Sequence, residues 1–186
     1  MIEAGVDESG RGSLVGPVVA AAVILDPAKP IPGLKDSKKL SKNNLKILRQ
    51  EILEKSLDYS LASCSSLEVD STNILSASLK AMSLALSSLR IVPDIAYIDG
   101  TFIPDSDIHC TAIIKGDNIF KNIMAASILA KTERDRMMLV LDKKYPEYNF
   151  KNNKGYPTKE HLKNIKAYGS IKEHRKSFKP LKDLIR

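Results

Sequence analysis

Apolar and polar positions change period several times along the chain, and each change predicts an element. Ile2 to Asp7 is short and apolar-rich and runs into the turn-prone cluster Glu8-Ser9-Gly10-Arg11-Gly12. Val18 to Leu25 is a continuous apolar run stopped by Asp26-Pro27, as expected of a buried strand that pairs with the first across an elaborate loop. Ala28 to Lys39 holds Pro30, Pro32 and Gly33 and reads as a loop. From Ser41, a natural capping residue, Leu45, Leu48, Ile52 and Leu53 form an i, i+3, i+7, i+8 stripe and predict a helix. Tyr59 to Cys64 is a candidate third strand. Asp70 to Leu89 reads as one helix, with Ile74, Leu75, Leu79, Met82, Leu86 and Leu89 at helical spacing and Pro93 just beyond. Ile95 to Asp99 predicts a strand ending at Gly100, and His109 to Ile114 another ending at Gly116. Asn118 to Lys143 predicts a long helix capped by Asp117 or Asn118, and one further helix is expected near Lys159 to Tyr168.

That order predicts an α/β fold: a mixed β-sheet flanked by helices, with residues 1–142 as the body and a basic helical C-terminal extension over 143–186 packed on it as a single unit. An apolar fraction of 43% with 27% charged residues excludes a disordered or fibrous chain. No apolar stretch is long enough to span a bilayer, and Glu3, Asp7 and Glu8 fall where a secretory leader needs an apolar run. Two cysteines, Cys64 and Cys110, far apart and without a CxxC partner, suit a reducing compartment. A cytoplasmic monomer is expected.

Charge then narrows the partner. The chain carries 29 Lys+Arg against 22 Asp+Glu, a net charge of +7, and such a surplus favours a polyanion. The surplus is concentrated from Lys143 to Arg186, where Tyr145, Tyr148, Tyr156, Tyr168 and Phe178 are interleaved with it. Cations plus aromatic faces can track a nucleic-acid strand; a solvated helical cap is the plainer alternative.

The acids at element ends carry the chemistry. Asp7 and Glu8 close the first strand, Asp99 closes the Ile95 strand, and Asp117 opens the long helix. In an open α/β sheet, functional groups gather where strands give way to loops. Converging carboxylates repel one another, and hard divalent cations relieve that repulsion. The oxygen-only donor set points to Mg²⁺ or Mn²⁺, and none of His109, His161 and His174 has ligand spacing. Two such ions about 4 Å apart suit phosphodiester hydrolysis. Taken singly, Asp99-Gly100 is also a common turn and Asp117 a common cap. Asp7 and Glu8, as strand neighbours, should point to opposite faces unless Gly10 and Gly12 bend the chain.

Gly10-Arg11-Gly12 does not fit a dinucleotide fingerprint: Gly10, Gly12 and Gly16 are one residue too wide, and Pro17 follows where a helix should start. Its glycines let backbone amides approach a ligand, and Arg11 offers a fork for phosphate. Ser127, Lys131 and Arg134 share one face of the long helix, where they could hold phosphate; Lys131 could equally pair with Asp135. Asp36-Ser37-Lys38-Lys39 is a basic, hydroxylated loop patch.

Read together, these residues resemble the ribonuclease HII family, the bacterial type 2 ribonucleases H. The resemblance rests on an ordered set: Gly5 to Leu25; Asp36 to Leu40; Asn73-Ile-Leu with Ala81-Met82; Ile98-Asp-Gly100; Lys115-Gly-Asp117; Ala125 to Lys131 with Arg134-Asp135; Lys154 to Thr158; and His174 to Phe178. It implies an RNase H-like fold and a metal-dependent endonuclease. The implied substrates are RNA–DNA hybrid, cut in its RNA strand, and duplex DNA bearing a single ribonucleotide, cut on the 5′ side to leave 3′-hydroxyl and 5′-phosphate ends. It assigns catalysis and two divalent ions, Mn²⁺ or Mg²⁺, to Asp7, Glu8, Asp99 and Asp117. Substrate contacts fall to Gly10, Arg11, Gly12 and Tyr156, the last as the junction-sensing tyrosine, with Lys39, Ser127 and Lys131 beside them. The 2′-hydroxyl, which separates RNA from DNA, is implied to meet the backbone of the Gly10–Gly12 motif. A type 3 relative has an extra N-terminal domain; with the motif opening at Gly5, the type 2 form is expected. A non-catalytic nucleic-acid-binding module of the same fold, and a DNA-junction nuclease, are the competing readings.

Overall fold

The computed structural model describes residues 1–35 and 37–184; Asp36, which opens the Asp36–Leu40 motif, and Arg186, the last basic residue of the extension, lie outside them. Strand β1 (Glu3–Ser9) pairs antiparallel with β2 (Val18–Ile24), whose seven residues are all buried. That follows from its unbroken apolar sequence, which has no polar face to offer water. Strand β3 (Asp58–Cys64) adds antiparallel to β2, while β4 (Ile95–Asp99) and β5 (Cys110–Ile113) add in parallel on the other side of β1. The sheet order is β3-β2-β1-β4-β5. Because Val6 pairs with Ile98, the next residues, Asp7 and Asp99, reach the carboxyl edge side by side.

Strand parity divides the core. Ala4, Val6, Ala20, Ala22, Ala96 and Ile98 face the helix α3 (Ile74–Ser87). On the opposite face, Ala21 and Val23 pack with α1 (Lys42–Lys55) and the long helix α4 (Lys121–Lys144). Gly5 lets α4 lie directly on β1, since a Cβ there would sit 2.1 Å from the carbonyl carbon of Asn122. As expected, Ser41 caps α1 by accepting the Asn44 N–H.

Two helix boundaries differ from the sequence reading. The expected single helix over 70–89 is two, α2 (Ser66–Ser71) and α3, broken at Thr72–Asn73. Asn73 accepts the Ser76 N–H at 2.9 Å and starts α3 afresh, while a Ser65–Glu68 capping box starts α2. Nor is Asp117 or Asn118 the cap of the long helix: both lie in a 3₁₀ turn, Gly116–Asn118, and α4 begins at Lys121 without a side-chain cap. Among its described residues the extension holds the expected α6 (Lys159–Tyr168), the single-turn α-helices α5 (Phe150–Asn153) and α7 (Leu181–Leu184), and a 3₁₀ turn, Pro146–Tyr148. Tyr148, Phe150, Ile165 and Leu181 pack on Leu14, Val15 and Met138, which fastens the extension to the loop after β1. Among the described residues, no helix is long and apolar enough to cross a membrane.

Candidate active site

The carboxyl edge of β1 and β4 meets the 3₁₀ turn before α4, and this junction collects the acids. Ligand oxygens of Asp7, Asp99 and Asp117 all lie within 4.8 Å of one another. Asp7 and Asp117 are buried and Asp99 is half-buried. The Asp117 N–H donates to Asp99 Oδ1 at 3.3 Å, which ties the turn to the end of β4. Glu8 is not in that group. Strand β1 stays extended through Ser9, so the bend expected at Gly10 comes after Glu8, which keeps the opposite parity. Its carboxylate borders the same cleft and pairs with Arg11 at 3.3 Å.

Burial and mutual repulsion mark this as a site short of positive charge. Burial pushes the Asp7 carboxyl well above the usual range, and Glu8 and Asp99 push it further; the Ser127 hydroxyl opposes them. Burial likewise raises Glu8, against the pull of Arg11, and raises Asp99. Glu8 Oε2 is buried with no hydrogen-bond partner. All donors are hard carboxylate oxygens, and an orphaned carboxylate oxygen stands at the rim: the residues present fit a divalent cation.

A cleft of about 320 Å³ joins the acids to the other candidates. Gly10, Arg11, Gly12, Ser127, Lys131 and Tyr156 all line it. Ser127 Oγ is 2.9 Å from Ser37 Oγ, and Lys131, while lining the cleft, pairs with Asp135 at 3.1 Å. Lys39 does not line the cleft; its ammonium donates to Asn118 Oδ1 in the 3₁₀ turn that carries Asp117. Lys38 does, with Nζ 3.2 Å from Asp117 Oδ2. Sequence reasoning names Lys39 as the substrate contact and leaves Lys38 as part of a basic loop patch; which of two consecutive lysines faces inward depends on the turn at Ser37–Lys39.

Arg134 departs from the expectation of a phosphate-facing cation. It is fully buried, and its guanidinium donates to the carbonyls of Val15 (3.0 Å), Lys154 (3.0 Å) and Pro17 (3.2 Å). One turn beyond Lys131, its position has rotated beneath the loop after β1 instead of into the cleft. Its Cζ stacks 5.5 Å from the centre of the Tyr156 ring. Gly10, at φ +97°, makes room: a Cβ there would meet Arg134 Nε at 2.1 Å.

Comparison with known proteins places the chain in a family. The sequence profile described as Ribonuclease HII matches residues 4–181. Ribonuclease HII of Shewanella loihica is 54% identical, covering 97% of this chain and 88% of its own, and that of Aliivibrio salmonicida is 53% identical, covering 98% and 88%. Among solved structures, ribonuclease H2 from Pyrococcus horikoshii superposes with a TM-score of 0.84 at 28% identity, covering 100% of this chain and 97% of that one. RNase HII of Archaeoglobus fulgidus, solved with PCNA, gives 0.81 at 28% identity and 96% coverage of both chains. Bst-RNase HIII, solved with Mn²⁺, shares the fold at a TM-score of 0.73 and 18% identity, covering 100% of this chain and 69% of that one. Fold and site thus define a metal-dependent nuclease of the ribonuclease H class, whose members act on the RNA of RNA–DNA hybrids. Within that class, the chain belongs to the ribonuclease HII family.

Proposed function

We propose that this chain hydrolyses the RNA strand of RNA–DNA hybrids and also cuts 5′ to a single ribonucleotide embedded in duplex DNA, leaving 3′-hydroxyl and 5′-phosphate ends. The observation that carries the reading is one cleft in which the acid cluster lies beside the Gly10–Gly12 loop and Tyr156. Asp7, Glu8, Asp99 and Asp117 hold two divalent cations, Mn²⁺ or Mg²⁺. Bound there, such ions lower the pKa of water and neutralise charge on the leaving oxygen.

The chain's own residues supply position and counter-charge. Lys38, Lys131 and Arg11 line the cleft, where each can neutralise a phosphate, and Lys39 stands at its edge. Lys38, whose Nζ lies 3.2 Å from Asp117 Oδ2, would neutralise a phosphate beside the acids. Backbone groups of Gly10–Gly12 contact the ribose, and the Tyr156 ring packs against the sugar on the DNA side. The extension over 143–186, packed on the 1–142 body, carries Tyr156 and adds basic surface for the flanking duplex. We place the reaction in the cytoplasm, with a monomer as the acting species; Cys64 and Cys110, both free thiols, suit a reducing compartment.

The test is cleavage by purified protein, with Mg²⁺ or Mn²⁺, of duplex DNA bearing one ribonucleotide beside an all-DNA control. Only the first should be cut, and Asp99→Asn should abolish cutting while sparing duplex binding. Equal cutting of both duplexes, or near-native turnover by the variant, would refute the reading.

A further inference from the structure

The loop after β1 is suspended from two buried guanidiniums. Besides Arg134, Arg175 is fully buried, donating to the carbonyls of Arg11 and Gly16 at 3.0 Å each. Its backbone runs alongside the loop: the Arg175 N–H donates to Leu14 O, and the Gly16 N–H to Glu173 O. Among the described residues, every hydrogen-bond acceptor recorded for either guanidinium is a backbone carbonyl, and neither forms an ion pair with a carboxylate. Arg175 Nη2 is buried without any partner. Burial, and then the neighbouring Arg134, push Arg175 down to about 10. Arg134 lies over the Tyr156 ring and Arg175 over that of Phe178, and Asp135 and Asp70 attract them without pairing; even so, two buried cations are a costly way to hold a loop that neutral donors could hold.

Their geometry suggests what the charge does. The Arg11–Gly12 peptide is trans, the Lys179–Pro180 bond being the cis one recorded, and in a trans peptide the C=O and N–H point in opposite directions. With the Arg11 carbonyl turned inward to Arg175, the Gly12 N–H is turned outward. Gly12 is exposed and lines the cleft, and a Cβ on it would lie 3.7 Å from the Tyr156 ring. A carbonyl that accepts from a cation also polarises its peptide, so the same unit's N–H becomes a stronger donor.

We propose that Arg175, with Arg134 beside it, is a positioning residue for ribose recognition: by holding the Arg11 carbonyl it aims the Gly12 N–H into the cleft as a charge-strengthened donor to the 2′-hydroxyl. This rests on the reading of Gly10–Gly12 as the ribose contact. Arg134 holds the carbonyls of Val15 and Lys154 together, and so fixes the distance between this donor and Tyr156.

The experiment measures, in EDTA, the affinities of a short DNA duplex with one ribonucleotide and of the same duplex in all-DNA form. For Arg175→Gln, folded by circular dichroism, the ribonucleotide preference should fall roughly tenfold, the worth of one good hydrogen bond, with all-DNA affinity changing far less. A purely structural role would weaken both duplexes alike, and an unchanged preference overturns the proposal. Arg175→Lys, which keeps the charge but not the planar fork, carries the same test should Arg175→Gln not fold. In ¹⁵N spectra of the free protein, the Gly12 amide resonance should move in either variant. A stationary resonance refutes the positioning role whatever the substrate, whereas native protein that shows no ribonucleotide preference refutes the functional reading instead.

Discussion

At Asp7, burial and two neighbouring acids work against ionisation, while the Ser127 hydroxyl and the Glu8 N–H at 2.7 Å work for it. The first group wins, so without cations the folded chain carries this charge at a cost. The sign follows: an acid whose folded value is raised adds no penalty at low pH. It becomes destabilising as pH climbs from the unfolded carboxylate range through the raised folded value. Asp7→Asn removes the charge and should therefore stabilise the protein in EDTA by about 1 kcal/mol, in keeping with strain stored at functional sites. Thermal unfolding in EDTA and in Mn²⁺ checks this: the gain should vanish with Mn²⁺, because the native carboxylate then has its counter-ion. An Asp7→Asn protein less stable than native in EDTA would show that hydrogen bonds at Asp7 outweigh repulsion. The acids were legible from the sequence because strand ends are where an α/β fold exposes chemistry. Which of the Asp7–Glu8 pair joins the inner group was not, since that depends on where β1 stops being extended.

The elements fix how these side chains meet. Helix α4 brings Ser127 over Asp7 only because Gly5, two residues back on the same face of β1, has no side chain to hold the helix off. In Gly5→Ala the new methyl would lie 2.1 Å from the Asn122 carbonyl carbon and 2.2 Å from the Ile123 nitrogen, both backbone atoms that cannot rotate away. The helix must shift, at a cost of roughly 3 kcal/mol, and cleavage should fall with it as the cleft widens. Urea unfolding reads the first effect and single-turnover cleavage the second; a variant within about 0.5 kcal/mol of native would show that α4 is not held by this contact. The strands and α4 were predictable from apolar runs and long periodicity. The break at Thr72–Asn73 was missed because the apolar stripe of α3 can be extended backwards without contradiction, although Asn73 is itself a strong capping signal. Asp117 and Asn118 both read as caps because an Asp or Asn before a long helix serves that role equally well in sequence; the intervening 3₁₀ turn is a tertiary choice.

Across the whole molecule, the extension and the body are joined through groups whose burial no periodicity reveals. Arg134 and Arg175 read as surface cations, and His161 and His174 as isolated histidines, yet all are buried between the loop after β1 and the tail. The two imidazoles meet Tyr148 and Phe150 edge-on at centroid distances of 5.4–6.5 Å. His174 Nδ1 accepts the Ile171 N–H at 2.9 Å, so its proton resides on Nε2; His161 Nδ1, 2.9 Å from Tyr156 O, must carry the proton it donates there. The tail therefore holds the Tyr156 backbone through the His161 ring, whose charged form burial disfavours. Burial, with His161 and Lys176 nearby, lowers His174 from 6.5 to about 4. The unfolded chain thus takes up its proton first: the stability is fully present above pH 6.5 and is lost as pH falls from there toward about 4. This slope is opposite to that of the acid cluster, which gains stability on acidification. A pH series of thermal midpoints with Mg²⁺ present, compared between native protein and His174→Gln, separates the two. The variant should start less stable at neutral pH and lose less on acidification, so the curves should converge. Parallel curves would mean that the acid response arises elsewhere. Convergence accompanied by a falling preference for a single ribonucleotide as native protein is acidified would tie the histidine pair to the placement of Tyr156, and with it the packing of the tail to the chemistry at the sheet edge.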